Sequence, residues 1–261
     1  MKLGIGTYAY TWSMGLPGAM PERPMTGLDL LAKARELGVR VVQFGPNYNY
    51  EPELDAIIER AREWGIELEI GTKGIEPDHL RKWIGVAKRA GSTLLRSLPE
   101  CVDAELVAKL KCIEPELRAA GVRLALENHS LTPAEDLARA LDAVGSPWVG
   151  VALDTVNSLA IPEDTERVAR TLAPYTICLH VKDFQVARIW HMMGFTVEGR
   201  PAGKGQLNVP WLLEMLQKAG AAPNAILELW PPQQQTLEQT IALEHAWAAE
   251  SIQYLRKYID A

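Results

Sequence analysis

AAGVRLALENHSLTPAEDLARALDAVGSPWVGVALDTVN, residues 119–157, reads as one complete strand–helix–strand unit. Gly121 closes a helix, and the apolar run VRLALE from Val122 follows at once. A helical segment comes next, with apolar residues three and four positions apart, and Gly145 ends it before the strand WVGVALD from Trp148. Thr132 followed by Glu135 predicts a capping box at the start of that helix.

The same alternation extends in both directions. Upstream lie the strand candidates KLGIGT from Lys2, VRVVQF from Val39, IELEIG from Ile66 and STLLRS from Ser92. Downstream lie YTICLHV from Tyr175 and NAILELW from Asn224. Amphipathic runs such as LDLLAKARELG from Leu28 and DAIIERAREWG from Asp55 separate them. Strands alternating with helices leave an open doubly wound sheet or a closed barrel. No GxGxxG follows the first strand, and chemistry-bearing residues recur at strand C-termini, which a closed barrel gathers at one mouth. The expectation is one (β/α)8 TIM barrel over residues 1–261, close to the ~250 residues such a barrel takes.

Composition bounds the function. Apolar residues make up 48% of the chain, enough for a large core. A net charge of −6 argues against nucleic acid or an anionic membrane as partner, but a local basic patch could still hold a small anion. Cys101, Cys112 and Cys178 show no metal or redox spacing and read as free thiols of a reducing cytoplasm. There is no signal-peptide pattern and no apolar run long enough for a membrane span. A homo-oligomer is compatible with all of this.

Two connections exceed ordinary turns: the segment from Thr7, rich in Tyr, Trp, Met and Pro, and Phe184 to Asn208 after strand seven. Long connections on the catalytic face of a barrel read as substrate walls or lids.

Four metal-ligand types end consecutive strands: Glu127 in LALENH, Asp154 in VALDTVN, His180 in CLHVKD and Glu228 in ILELW. Three carboxylates brought together repel one another unless a cation neutralises them. Oxygen donors with one imidazole fit one divalent ion: manganese first, with magnesium, cobalt, iron or zinc as alternatives.

LENH, LDTVN, HVKD and LELW, with the glycine-rich GKGQLNVPWLL after strand seven, resemble the ligand motifs of the xylose-isomerase-like barrels in order and spacing. The resemblance spans the chain and is most specific from Glu127 onward. That family contains many sugar isomerases and epimerases. It implies that the first and last ligand carboxylates, Glu127 and Glu228, serve as the acid/base pair, while the metal stabilises an enediolate. Two positions depart from the ketose epimerases of the family. Asn157 stands where they commonly carry a His, and Val186 where they carry an Arg, with Arg188 two residues on.

Lys73, Arg96 and Lys182 near converging strand ends, with Arg188 and Lys204 beyond, point to an anionic sugar derivative. His129, Asn157 and His191 complete the candidate substrate contacts. The leading reading is a metal-dependent isomerase or epimerase of a sugar, sugar acid or sugar phosphate. The alternative is a lyase that decarboxylates, or eliminates from, an oxidised 3-oxo sugar acid on the same scaffold. A DNA-repair endonuclease would need a histidine-rich zinc cluster and a basic surface, which five histidines and the acidic balance oppose. A non-enzymatic binding barrel leaves the ligand set unexplained.

Overall fold

The computed structural model describes residues 1–161 and 163–259. In chain order the elements are β1 (Leu3–Gly6), α1 (Thr11–Met14), α2 (Gly27–Glu36), β2 (Val41–Phe44), α3 (Leu54–Trp64), β3 (Glu67–Gly71) and α4 (Pro77–Ala90). Then come β4 (Leu94–Ser97), α5 (Ala104–Ala120), β5 (Arg123–Glu127), α6 (Ala134–Val144), β6 (Val149–Asp154), α7 (Thr165–Leu172) and β7 (Thr176–Val181). The last are β8 (Asp183–Arg188), β9 (Phe195–Arg200), α8 (Val209–Lys218), β10 (Asn224–Leu227) and α9 (Leu237–Leu255). Eight of the strands close a parallel barrel in the order β1-β10-β7-β6-β5-β4-β3-β2, the (β/α)8 architecture expected. Left-handed glycines 65, 91, 121 and 145 end α3 to α6 and turn the chain into the next strand.

Two apolar cores follow from the two faces of each strand. The larger lies between strands and helices. The smaller plugs the barrel lumen and consists of Val41, Leu94, Ala125, Ala152, Cys178 and Ile226, one residue from each of six strands. Gly4 completes this layer, because a Cβ there would run into Val41 and Ile226. No helix among the described residues is long and apolar enough to cross a membrane.

One local expectation is corrected. The N-cap of α6 is Pro133, not Thr132, and no side chain caps it. The Thr132 hydroxyl turns back to accept from His129 N at 2.5 Å, and Ala134 N donates instead to Glu163 at 3.0 Å. The Thr132 hydroxyl is thus committed to His129, and Pro133 at the cap has neither a side-chain acceptor nor an N–H with which to build a box of its own. The long connection after strand seven carries secondary structure of its own. It folds as an antiparallel hairpin, β8 with β9, registered from Asp183↔Arg200 to Arg188↔Phe195.

Asp183 anchors that hairpin. Its buried carboxylate accepts from the backbone amides of Phe184, Gly203, Gly205 and Leu207 at 2.8–3.0 Å. A side chain at Gly205 would collide with Asp183 Oδ1, and one at Gly203, which has a left-handed backbone, with the Tyr254 ring, which explains the two glycines of GKGQLN.

Candidate metal centre at the barrel mouth

Alternation along the strands builds the site. Each of the six plug residues is followed two positions later by a buried polar side chain: Gln43, Arg96, Glu127, Asp154, His180 and Glu228. All six are at most 4% exposed. A two-residue step keeps a side chain on the same face and raises it by one layer, so these six form a ring above the plug.

Within the ring, ligand atoms of Glu127, Asp154 and His180 all lie within 4.8 Å of one another, close enough to hold a metal ion. Glu228 adjoins this triad from β10, its Oε1 being 3.3 Å from His180 Nδ1, while Glu127 Oε2 is 3.4 Å from the same nitrogen. The Arg96 guanidinium grips Glu127 Oε2 through Nε and Nη2. Lys182 Nζ stands 2.8 Å from both Asp154 Oδ2 and Glu228 Oε2. Asn157 ties the group together: its side-chain amide donates to Glu127 Oε1 and its backbone N–H to Asp154 Oδ1, both at 2.7 Å.

Charge and burial act in opposition here. Burial alone would raise the Glu127 carboxyl, but Arg96 and then His180 outweigh it and hold the group well below the usual carboxylate range. Burial disfavours a charged His180, yet Glu228 and the other acidic neighbours push it well above its ordinary value. Asp154 Oδ2, His180 Nδ1 and Glu228 Oε1 are buried without a hydrogen bond, the first touching only the Lys182 ammonium. Three polar atoms so left, among them Glu228 Oε1 facing the His180 Nδ1 at 3.3 Å, fit a cation as the common partner. With His180 neutral, as a ligand must be, three carboxylates against two fixed cations leave one negative charge, and a divalent ion would turn that into one positive charge.

The other expected contacts divide. His129 and Asn157 line a cavity of about 320 Å³ beside the ring, walled by Val156, Leu159, Val197 and Trp230. Lys73 is exposed and makes no ion pair among the described residues. Arg188 and His191 are not brought to the ring. They stand exposed at the far end of the hairpin, Arg188 over the Phe195 ring at 4.3 Å and His191 against Trp190. Arg96 and Lys182 are paired, but with the candidate ligands themselves rather than with distant acids.

Four residues went unread in the sequence. Tyr8, from the segment after β1, lies under Arg96 with the guanidinium 5.8 Å from its ring centre. Burial pushes its phenol up, and Glu228 and Glu127 add to that against Arg96. Trp230 walls the cavity, its indole N–H donating to Asp183 O at 3.3 Å. Gln43 and Glu69 face the lumen and are hydrogen-bonded to each other. For Gln43 the available signal was a polar residue two positions after the apolar Val41; for Glu69 it was a charge inside an otherwise buried strand.

The xylose isomerase-like TIM barrel family model matches residues 11–258. The 3-oxo-isoapionate decarboxylase of Pectobacterium atrosepticum is 31% identical over 264 residues, covering 98% of this chain and 95% of that one. Among solved structures, D-psicose 3-epimerase in the presence of D-fructose superposes with a TM-score of 0.72 at 18% identity over 100% of both chains. A xylose isomerase-like TIM barrel protein from Mycobacterium smegmatis in complex with magnesium gives 0.69 at 12% identity over 97% of both. The structural likenesses show the fold; the sequence match adds kinship.

Proposed function

Because the chain belongs to the xylose isomerase-like TIM barrel family, we propose that it is a divalent-metal-dependent decarboxylase of a 3-oxo sugar acid. One observation carries the choice of reaction. Glu127 and Glu228, the two carboxylates an epimerase would use as free acid and base, are each held by a cation, the buried Arg96 and the largely buried Lys182. An epimerase must take a proton from carbon, and a carboxylate locked in an ion pair is a poor base for that. Decarboxylation needs no such base. The bond between the carboxylate carbon and its neighbour breaks, its electron pair moves toward the adjacent carbonyl oxygen, CO2 leaves, and a proton returns to carbon.

In this reading Glu127, Asp154, His180 and Glu228 hold the ion, with manganese the first to assay. The ion would supply a positive centre for the oxygen on which charge accumulates. Lys182, with its ammonium among Asp154, Glu228 and Asn157, holds those two carboxylates in place, and the proton that returns to carbon comes from solvent. Arg96 fixes Glu127, and Asn157 fixes Glu127 and Asp154 together. The net positive charge of the loaded ring favours an anionic substrate. His129, Val197 and Trp230 form the wall against which its remaining carbons lie. The decarboxylase relative supports this choice, since its name specifies a 3-oxo acid and loss of CO2.

The second reading is a sugar isomerase or epimerase. It is favoured by the approach of Glu127 and Glu228 to the same His180 nitrogen, at 3.4 and 3.3 Å, which suits two carboxylates flanking one substrate. The test is incubation of the Mn2+-loaded protein in D2O with 3-oxo sugar acids and neutral ketoses, followed by NMR and CO2 capture. Stoichiometric CO2 with deuterium confined to product supports the decarboxylase. Deuterium entering unconverted substrate without CO2 sinks it in favour of the second reading.

A further inference from the structure

A chain of side chains, buried from Glu69 onward, links Asn224 on β10 through β3 and β2 to His180 on β7. Asn224 Nδ2 donates to Glu69 Oε1 at 2.9 Å, and Gln43 Nε2 donates to Glu69 Oε2 at 2.9 Å. The same Gln43 nitrogen lies 3.3 Å from Cys178 Sγ. At its other end, Gln43 Oε1 is 2.8 Å from His180 Nε2. Gln43, Glu69, Cys178 and His180 are at most 3% exposed, so bulk water does not offer these groups other partners.

We propose that Glu69 and Gln43 are positioning residues that hold His180 in the one tautomer able to bind a cation through Nδ1. The proposal rests on the reading of His180 as a ligand. A primary amide can face either way, and its neighbours decide which. Both Glu69 oxygens already accept amide N–H groups, so the Gln43 NH2 turns toward Glu69 and its oxygen turns toward His180. A carbonyl oxygen can only accept, so His180 Nε2 must carry hydrogen. In the neutral ring that a cation requires, the Nδ1 lone pair then faces Glu127 and Glu228, where the cation would sit. With Gln43 reversed, its NH2 would require an acceptor at Nε2. The ring proton would move to Nδ1, between the two carboxylates, and close the position to a metal. Partners that orient a ligating imidazole in this way commonly change metal affinity 10–100-fold when altered.

The test uses Zn2+, which is diamagnetic, with calorimetric affinity and the 15N–1H correlation pattern of the His180 ring in the loaded protein. Glu69→Gln provides an NH2 that can turn Gln43 around. It should weaken Zn2+ binding by roughly 10–100-fold, shift the ring signature away from Nε2–H, and leave the CD spectrum unchanged. The paired exchange Glu69→Gln with Gln43→Glu places an obligate acceptor opposite Nε2. It should restore the Nε2–H signature and most of the affinity. Zn2+ affinity unchanged in Glu69→Gln, or failure of the paired exchange to restore the ring signature, overturns the proposal. His180→Ala separates the two layers of inference. If that variant loses Zn2+ while Glu69→Gln binds normally, only the positioning role falls. If His180→Ala binds as tightly as the parent, the ligand assignment falls and takes the positioning role with it.

Discussion

Lys182 Nζ lies 2.8 Å from Glu228 Oε2, joining the rim of β7 to that of β10 in a pair buried above the lumen plug. The same ammonium touches Asp154 on β6 at 2.8 Å, so one lysine balances two carboxylates from different strands.

Lys182→Met removes that balance. We expect turnover to fall by the equivalent of about 2–5 kcal/mol, the scale for stripping one partner from a buried charged contact. The metal-free variant should also melt earlier than the parent, because Asp154 and Glu228 are left facing each other. Saturating Mn2+ should narrow the gap, because an ion that neutralises Asp154 and Glu228 stabilises the variant, which lacks the lysine, more than the parent. A variant with normal CO2 release would remove Lys182 from the reaction.

Arg96→Met tests the other pair through pH. The folded Glu127 carboxyl is held below its unfolded value of ~4.3, so its stabilisation is complete above that value. It is lost as pH falls through the lower, folded value. In EDTA the variant should be less stable than the parent at neutral pH by about 3–5 kcal/mol. The gap should shrink on acidification below pH ~4. A gap that stays constant down to strong acid would mean that the pair does not stabilise through the charge of Glu127.

Glu244 on α9 predicts the opposite slope. Its buried carboxylate accepts from Trp12 N, Ser13 N and Ser13 Oγ at 2.6–2.9 Å and so pins α1. Burial, only partly offset by these bonds, pushes the group up to about 7. The folded protein therefore holds a proton that the unfolded chain has already lost between pH ~4.3 and neutrality, so stability falls as pH rises across that window. The difference in Tm between the parent and Glu244→Gln should decline over the same interval and level off above it. A difference independent of pH would show that Glu244 does not titrate there.

Gly205→Ala should loosen the hairpin anchor. The added Cβ collides with Asp183 Oδ1 and the Phe184 carbonyl, so at least one of the four amide bonds to Asp183 must break. We expect a loss of about 1–3 kcal/mol from strain and unsatisfied polar groups. Faster amide exchange should appear in β8 and β9 while the barrel strands stay protected. Unchanged exchange would argue that the anchor is not needed.

The β/α alternation, the strand limits and the location of Glu127, Asp154, His180 and Glu228 at strand ends were legible in the sequence. Each follows from a local property: burial on both faces gives apolar runs, helices show three- and four-residue spacing, and glycines mark the ends. The pairing of charges was not legible. Gln43 and His180 are 137 residues apart and meet only because the barrel closes. Lys182 finds Asp154 and Glu228 because neighbouring strands bring their rims together, and no spacing along the chain encodes that. The hairpin after β7 escaped for the same reason, since its cross-strand register exists only once β8 and β9 lie side by side. Sequence determined which residues reach the mouth, through a period of two that each strand carries by itself. Tertiary structure decided which of them neutralise one another, because Coulomb energy depends on distance across the lumen rather than on separation along the chain.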